Sequence, residues 1–403
     1  MKIAIINMVD YGSTGRIMFQ IADCARKNNF QVLTYSKKWR RKQNIHPFHS
    51  YYGYTIENAI NVILTRLFGF QGSFSYFGTR KLIKWLKKYN PDIIHIHNLH
   101  DSSTCLPVFF KYIKKYNKKL VWTLHDCWSI TGGCYHFQIS KCNKWQSGCR
   151  KCQYLNHRIH IDDTKYMWNK KKKWYSGIDN LVIVTPSEWL KEIVKKSFLA
   201  KHPIKVINNG IDLTTFTPQK SAFKKENNIK GYMILAVSNI WNYNKGLDVV
   251  ISLARELPNT YTIVIVGTNN EIDKELPSNV ISIHRTNDIN ELVKIYSSAD
   301  VFINPTREDT FPTVNIEALA CGIPVITFNT GGSPECLNSK CGRIVKENSH
   351  IELKKEIIKI CENKIINKKD CIAQAKKYDR NINYQKYIEL YEEIYNKDNG
   401  GIS

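Results

Sequence analysis

Short apolar runs alternate with helical patterns along almost the whole chain, and this alternation narrows the fold more than any other feature. Residues 2–8, 31–35, 92–97, 120–124, 180–184 and 205–208 read as strands in the first half. Residues 233–237, 262–267, 280–285, 301–303 and 324–328 do so in the second. Between them lie polar or Gly-containing turns and amphipathic stretches such as 16–27 and 288–298. Strands that alternate with helices build parallel sheets covered on both faces. At 403 residues the chain is too long for one ordinary core. The expected fold class is therefore α/β, as two doubly wound, Rossmann-like domains facing a cleft. The expected division is residues 1–209, then 210–380, then a last helix in 381–403, with the polar stretch 209–212 as the crossing.

The stretch 301–337, VFINPTREDTFPTVNIEALACGIPVITFNTGGSPECL, carries the most chemistry. It reads as strand, polar loop, helix, strand. The helix is expected to start near Thr313, with the Thr313 hydroxyl as its cap and Gly322 in the left-handed position after its last turn. Asp309 lies in the loop and Glu317 in the first turns of the helix, with seven residues between them. In doubly wound sheets ligands sit beyond the carboxyl ends of strands. Helix N-termini there favour phosphate. Two carboxylates would repel a phosphate and suit hydroxyls, as acceptors from a ribose and a sugar. The pattern fits a sugar nucleotide; the alternative is a capped helix with two solvated acids.

Other signals are weaker alone. Gly12-Ser13-Thr14-Gly15 is a turn between strand and helix that lets backbone N–H groups approach a phosphate. His95 and His97 share one side of a strand, with no third metal ligand in view, and read as packed or cleft-lining. His125-Asp126 ends the strand 120–124, where a polar pair faces the ligand crevice. Lys245-Gly246 opens a helix, and a lysine there neutralises a diphosphate or is simply a surface lysine beside a turn. Residues 55–88 read as helical with a break at 68–78, and 351–377 as helical throughout. Ile60, Ile63, Leu64 and Leu67 recur at helical spacing, so one face is expected in the core, the alternative being contact with lipid headgroups.

Five of the twelve cysteines fall between Cys127 and Cys152. No apolar leader is read at the N-terminus, which disfavours disulfides. Cys149-x2-Cys152 has the spacing of a zinc knuckle, and Cys134 and Cys142 could complete a tetrahedral thiolate site. Cys127 or His136 could substitute for one ligand. Such a structural zinc would staple an insertion at 127–155 that has little apolar content. Reduced thiols, redox use and an iron–sulfur cluster are the alternatives.

The net charge of +24 is uneven. Residues 1–210 carry 35 Lys+Arg against 11 Asp+Glu, whereas residues 211–403 carry 24 of each. The excess clusters at 37–42, 84–88, 111–119 and 170–174, often beside Trp or Tyr. That suits an anionic membrane surface, a nucleic acid or a merely solvated face. No run reaches the ~18 apolar residues of a membrane span. The expected location is cytoplasmic and peripheral on the inner face of the cytoplasmic membrane.

EDTFPTVNIEALACGIPVI, TGGSPE and the run HDCW…TGGC…C…W…C…C together resemble the E-x7-E region and N-terminal half of retaining, GT-B-fold glycosyltransferases of family 4, in their capsule and colanic-acid-type branch. The resemblance implies that Glu317 holds the ribose, while Asp309, in place of the first Glu, and the loop at Thr310 and Phe311 hold the donor sugar. It puts Gly15 and Asn239 on the donor side, Asn239 standing where many members carry Arg. It puts His125 near the anomeric carbon, Gly12, His97 and Asp126 on the acceptor side, and Lys245 on the diphosphate. The last helix is expected to pack back on the first domain. The implied reaction moves a sugar from a UDP- or GDP-linked donor to a polyprenyl-diphosphate-linked saccharide at an anionic inner-membrane surface. It needs no catalytic cofactor, in keeping with the absence of any Asp-x-Asp, and no nucleic acid. Retention implies same-face attack, the leaving phosphate taking the acceptor proton. A sugar-nucleotide epimerase on the same fold is one rival; it needs no acceptor. A nucleic-acid-binding protein is the other, and explains only the basic half.

Overall fold

The computed structural model describes residues 1–39, 46–152 and 162–397. These divide into two compact units, residues 1–208 with 383–403, and residues 209–382. The first holds a parallel sheet of β1 (Lys2–Asn7), β2 (Gln31–Lys37), β3 (His49–Tyr52), β4 (Ile93–Ile96), β5 (Lys119–Thr123), β6 (Leu181–Thr185) and β7 (Ile204–Val206), in the order β3-β2-β1-β4-β5-β6-β7. The second holds β8 (Tyr232–Val237), β9 (Tyr261–Val266), β10 (Val280–Ile283), β11 (Val301–Asn304), β12 (Val325–Phe328) and β13 (Gly342–Val345), in the order β10-β9-β8-β11-β12-β13, again parallel. In each sheet the strand order reverses beside the first strand, between β1 and β4 and between β8 and β11. Doubly wound folds open their ligand crevice at that point.

The central strands are apolar runs buried along almost their whole length, as burial on both faces requires. Strands β3 and β13 were not foreseen. Both are edge strands with one neighbour and an intermittently buried pattern, so neither needs an apolar run.

The helix Thr313–Ala320 starts one residue earlier than a Thr313 cap demands. Pro312 occupies the cap position in extended conformation, and Thr313 is the first helical residue, with no side-chain cap made. Its end is as expected. Gly322 has φ +80°, its N–H donates to Leu319 O, and the Ile323 N–H donates to Ala318 O, which closes the last turn. The 351–377 stretch is two helices, His350–Asn363 and Lys368–Ala375, parted at Lys364, whose left-handed backbone (φ 47°) ends the first.

The helix Thr55–Phe68 departs furthest from expectation. Ile56, Ile60, Ile63 and Leu67 are 77%, 50%, 58% and 47% exposed, while its buried residues are Asn58 and Asn61. The polar edge faces inward because Asn61 Nδ2 donates to Ser75 Oγ at 2.7 Å, on a Ser75 that also receives the buried Lys37 ammonium at 2.5 Å. Lys37 is therefore interior rather than part of a basic surface; residues 40–42 of that cluster lie outside the described residues. Among the described residues no helix is long and apolar enough to cross a membrane.

The helix Arg380–Asn396 presents Tyr384, Tyr387, Ile388 and Tyr391 to a core shared with Ile3, Ile5, Met18 and Val121 of the first unit.

Candidate functional site

The loops that leave β8 and β11, on either side of the strand-order reversal, are fastened together. Gly246 has φ +77°, and a Cβ there would stand 2.3 Å from Pro305 O. Only glycine allows that approach. Asn242 Oδ1 accepts from the Lys245 N–H at 3.1 Å and holds the short turn Tyr243–Lys245. Arg307, almost fully buried, spans both loops. Its guanidinium donates twice to Asp248 at 2.7 Å and once to Asn348, and stacks 3.8 Å over the Tyr243 ring. The Arg307 N–H also donates to Asn244 O at 2.8 Å.

That framework brings Lys245 and Asp309 together. Lys245 Nζ lies 2.7 Å from Asp309 Oδ2 and 3.3 Å from Glu308 O. Asp309 Oδ1 accepts from the Phe311 N–H at 3.1 Å, and its carbonyl accepts from the Gly332 N–H. Glu308, which sequence reasoning passed over, takes a bond from Asn244 Nδ2 at 3.0 Å. Thr310 and Phe311 are both buried, and the Phe311 ring packs against Tyr378. Glu317, a buried residue of the helix Thr313–Ala320, accepts from Tyr296 OH at 3.3 Å. Asn239 is exposed just beyond the end of β8. Lys245 and Asp309 thus pair in the loops that leave the carboxyl ends of β8 and β11.

In the first unit the corresponding edge carries histidines. His97 Nδ1 and His125 Nε2 are 2.8 Å apart with their rings stacked. His95 bonds Tyr391 OH at 2.6 Å and Thr123 Oγ1 at 2.8 Å. Burial drives all three toward the neutral form. His95 falls to about 3, His125 to about 4, and His97 well below the usual range, with the neighbouring rings adding to the shift on His95 and His97. His97 Nε2 has no hydrogen-bond partner among the described residues. His100 goes the other way. Burial alone would lower it, but Asp126, at 3.2 Å, and Asp101, at 3.0 Å, outweigh that and raise it to about 9. Asp126 also accepts from the Trp128 N–H at 2.8 Å. It is thus committed to His100 and its own loop, which weakens its expected acceptor-side role.

Gly12 is the first residue of a helix, at φ +69° with open space around it, whereas Gly15 packs on the Asp10 backbone, where a Cβ would stand 2.5 Å from Asp10 C. Asn7, a residue no motif flagged, ties this turn to the end of β4. Its amide donates to Val9 O and Thr14 Oγ1, and its Oδ1 accepts from the Asn98 N–H.

Cys134, Cys142, Cys149 and Cys152 line one cavity of about 190 Å³. Cys127 and His136 do not line it. Among the described residues no three His, Cys, Asp or Glu side chains stand already grouped to hold a metal ion.

Known proteins share this organisation. The model of glycosyltransferase family 4 matches residues 14–215, and that of glycosyl transferases group 1 matches residues 218–378. WcaC of Escherichia coli strain K12, named for glycosyl transfer in colanic acid biosynthesis, is 26% identical over 278 residues, which is 65% of this chain and 66% of that protein. An N,N'-diacetylbacillosaminyl-diphospho-undecaprenol alpha-1,3-N-acetylgalactosaminyltransferase of Campylobacter jejuni is 25% identical over 50% of this chain and 58% of its own length. The chain therefore spans about two thirds or less of these two relatives. Among solved structures, a sucrose-phosphate synthase from Thermosynechococcus elongatus matches with a TM-score of 0.71 at 15% identity, covering 98% of this chain and 99% of that one. HepE from Anabaena, solved with UDP, matches at 0.68 and 15% identity, covering 98% and 100%. These likenesses establish the GT-B fold. With half its length matched by one family model, the chain belongs to glycosyltransferase family 4.

Proposed function

We propose that the chain transfers a sugar, with retention, from a nucleoside-diphosphate sugar to a hydroxyl of a polyprenyl-diphosphate-linked saccharide, in capsule or exopolysaccharide assembly. The observation that carries this is the Lys245–Asp309 pair at the strand-order reversal of the second unit, with Glu317 buried in the helix that follows. The Lys245 ammonium neutralises Asp309. An arriving diphosphate competes for that ammonium and frees Asp309 to accept from donor-sugar hydroxyls. Glu317 accepts from the ribose. As the C1–O bond to the diphosphate breaks, Lys245 and the N–H groups opening the helix Thr313–Ala320 stabilise the charge on the leaving oxygens. The acceptor oxygen bonds C1 on the same face and its proton passes to the leaving phosphate. His125, held neutral by burial, serves as a hydrogen-bonding group and not as a cation. UDP is the first nucleotide to test, because HepE was solved with UDP and with UDP-glucose. The acceptor class follows the relative named for an undecaprenol-linked substrate.

An anionic bilayer is the proposed working surface. The exposed stripe Ile56, Ile60, Ile63 and Leu67 recurs at helical spacing, and Phe68 and Phe77 are exposed as well. Basic residues sit on the same elements: Arg66 in the last turn of the stripe's helix, and Lys87 and Lys88 in that of the helix Tyr76–Tyr89. An apolar stripe beside cations suits the headgroup layer. The test is a transfer assay with the acceptor in anionic vesicles, in neutral vesicles or in detergent. Faster transfer is expected on anionic vesicles, lost in Ile60→Asp/Ile63→Asp, with the detergent rate unchanged. Equal rates on both vesicle types would remove the bilayer from the account; no labelled lipid product under any condition would remove the function.

A further inference from the structure

We propose that Cys134, Cys142, Cys149 and Cys152 bind one structural Zn²⁺ as a tetrathiolate, a staple in the segment that continues from His125. The four side chains come from three turns of a segment almost devoid of regular structure. Between Thr131 and Cys152 the only helix or strand among the described residues is the single turn Lys144–Gln146. All four line the same cavity, although no three are yet drawn onto a common centre. A metal ion is what would close them, at sulfur distances of about 2.3 Å.

Two features beside the shared cavity point to a ligand. The first is backbone conformation. Lys141 (φ 48°) and Lys151 (φ 44°) each adopt the left-handed region directly before a cysteine, Cys142 and Cys152. Non-glycine residues pay for that conformation, and such strain collects where surrounding structure or a ligand over-determines it. The second is a hydrogen bond to sulfur. The Gly132 N–H donates to Cys149 Sγ at 3.1 Å, the kind of outer contact that orients a metal thiolate. Beside the cluster, Lys171 is completely buried and its ammonium donates to Trp128 O at 2.7 Å and Thr131 O at 3.1 Å, 3.3 Å over the Trp128 ring.

The chemistry balances without an oxidant: four thiols and Zn²⁺ give the complex of charge −2 and release four protons. Tetrahedral S₄ sets suit zinc, with iron the competitor. The site lies on the same loop as His125 and Asp126, and the carbonyls that receive Lys171 belong to that loop, so a closed site would fix it. The inference does not depend on the proposed transfer reaction, because its primary readout is metal content.

The test uses the full chain, purified under reducing conditions without a metal-affinity tag. Elemental analysis should find one zinc per chain, and Cys24→Ser, outside the cluster, should keep it. Cys149→Ser should lose it and melt lower. Because Cys149→Ser could fail to fold, wild type is also reloaded with Co²⁺, where tetrathiolate ligation gives intense sulfur-to-metal charge-transfer bands and four protons released per ion. Below about a tenth of an equivalent of zinc, with no cobalt spectrum, the site does not exist. Iron in place of zinc, or cysteine pairs joined as disulfides in the purified chain, would equally overturn it.

Discussion

Replacing Lys245 with alanine is expected to lower sugar transfer about 100- to 1,000-fold, the range seen when one preorganised charge stabiliser is removed from a transition state. Stability should hardly change. The Lys245 and Asp309 side chains are 32% and 22% exposed, and a partly exposed ion pair is worth about 1 kcal/mol or less. That moves the melting temperature of a domain this size by about 2–4 °C at most. Asp309→Asn sharpens the comparison. It leaves the ammonium unpaired, so nucleoside-diphosphate affinity should hold or rise while transfer falls, since the sugar contact is lost. Lys245→Ala within about tenfold of wild type would move the leaving-group role elsewhere, first to the glycine turns and helix N-termini.

Acid should unfold the first unit earlier than its carboxylates alone require. His95, His97 and His125 are held neutral by burial, His95 at about 3 and His125 at about 4. Once unfolded each titrates near 6.5. A base whose folded pKa is depressed takes up a proton on unfolding, so stability falls as pH drops below about 6.5, by about 1.4 kcal/mol per pH unit for each proton. Three such protons approach about 4 kcal/mol per pH unit, large beside the ~5–15 kcal/mol of a typical domain. His100 contributes in the opposite window. Its folded pKa is raised to about 9, so its stabilisation is complete below about 6.5 and fades as pH rises through 9. Asp126 and Asp101 are depressed, so what they add is lost only as pH falls below the ordinary carboxylate range. The groups facing the three histidines are Tyr387, Tyr391, Thr123, His100 and Asp126. Denaturant melts across about pH 7 to 5 should show a steep loss, and His97→Asn should flatten the slope by close to one proton whatever it does to stability at neutral pH. A flat profile over that range would mean the cluster is solvated and charged.

The strands of both sheets were legible because doubly covered parallel strands must be apolar along their length, and runs such as those at β1, β8 and β11 have no other reading. Edge strands β3 and β13 escaped because a strand with one neighbour carries no such demand. The helix Thr55–Phe68 was misread for a physical reason: periodicity shows that a helix has an apolar face but not what covers it. Here the face lies open while Asn58 and Asn61 point inward. Asp309, Glu317 and Lys245 were found because acids and a lysine at a loop–helix junction are chemically conspicuous. Asn7, Glu308, Arg307 and Lys171 were missed because a buried polar residue leaves no periodic trace. Arg307 and Asn7 each join loops far apart in sequence, across 59 residues for Arg307 to Asp248 and 91 for Asn7 to Asn98.

In the proposed reaction a nucleoside diphosphate binds at the reversal between β8 and β11, with its ribose on Glu317. Calorimetric titration of UDP, GDP and ADP into wild type and Glu317→Gln tests it most directly. The glutamine keeps the shape and the Tyr296 contact while removing the charge. One nucleotide should bind wild type and bind the variant about 10- to 100-fold more weakly, since hydrogen bonds to a charged group contribute about 1.5–3 kcal/mol. Equal affinity in both proteins would contradict the assignment and send the ribose to another part of the chain.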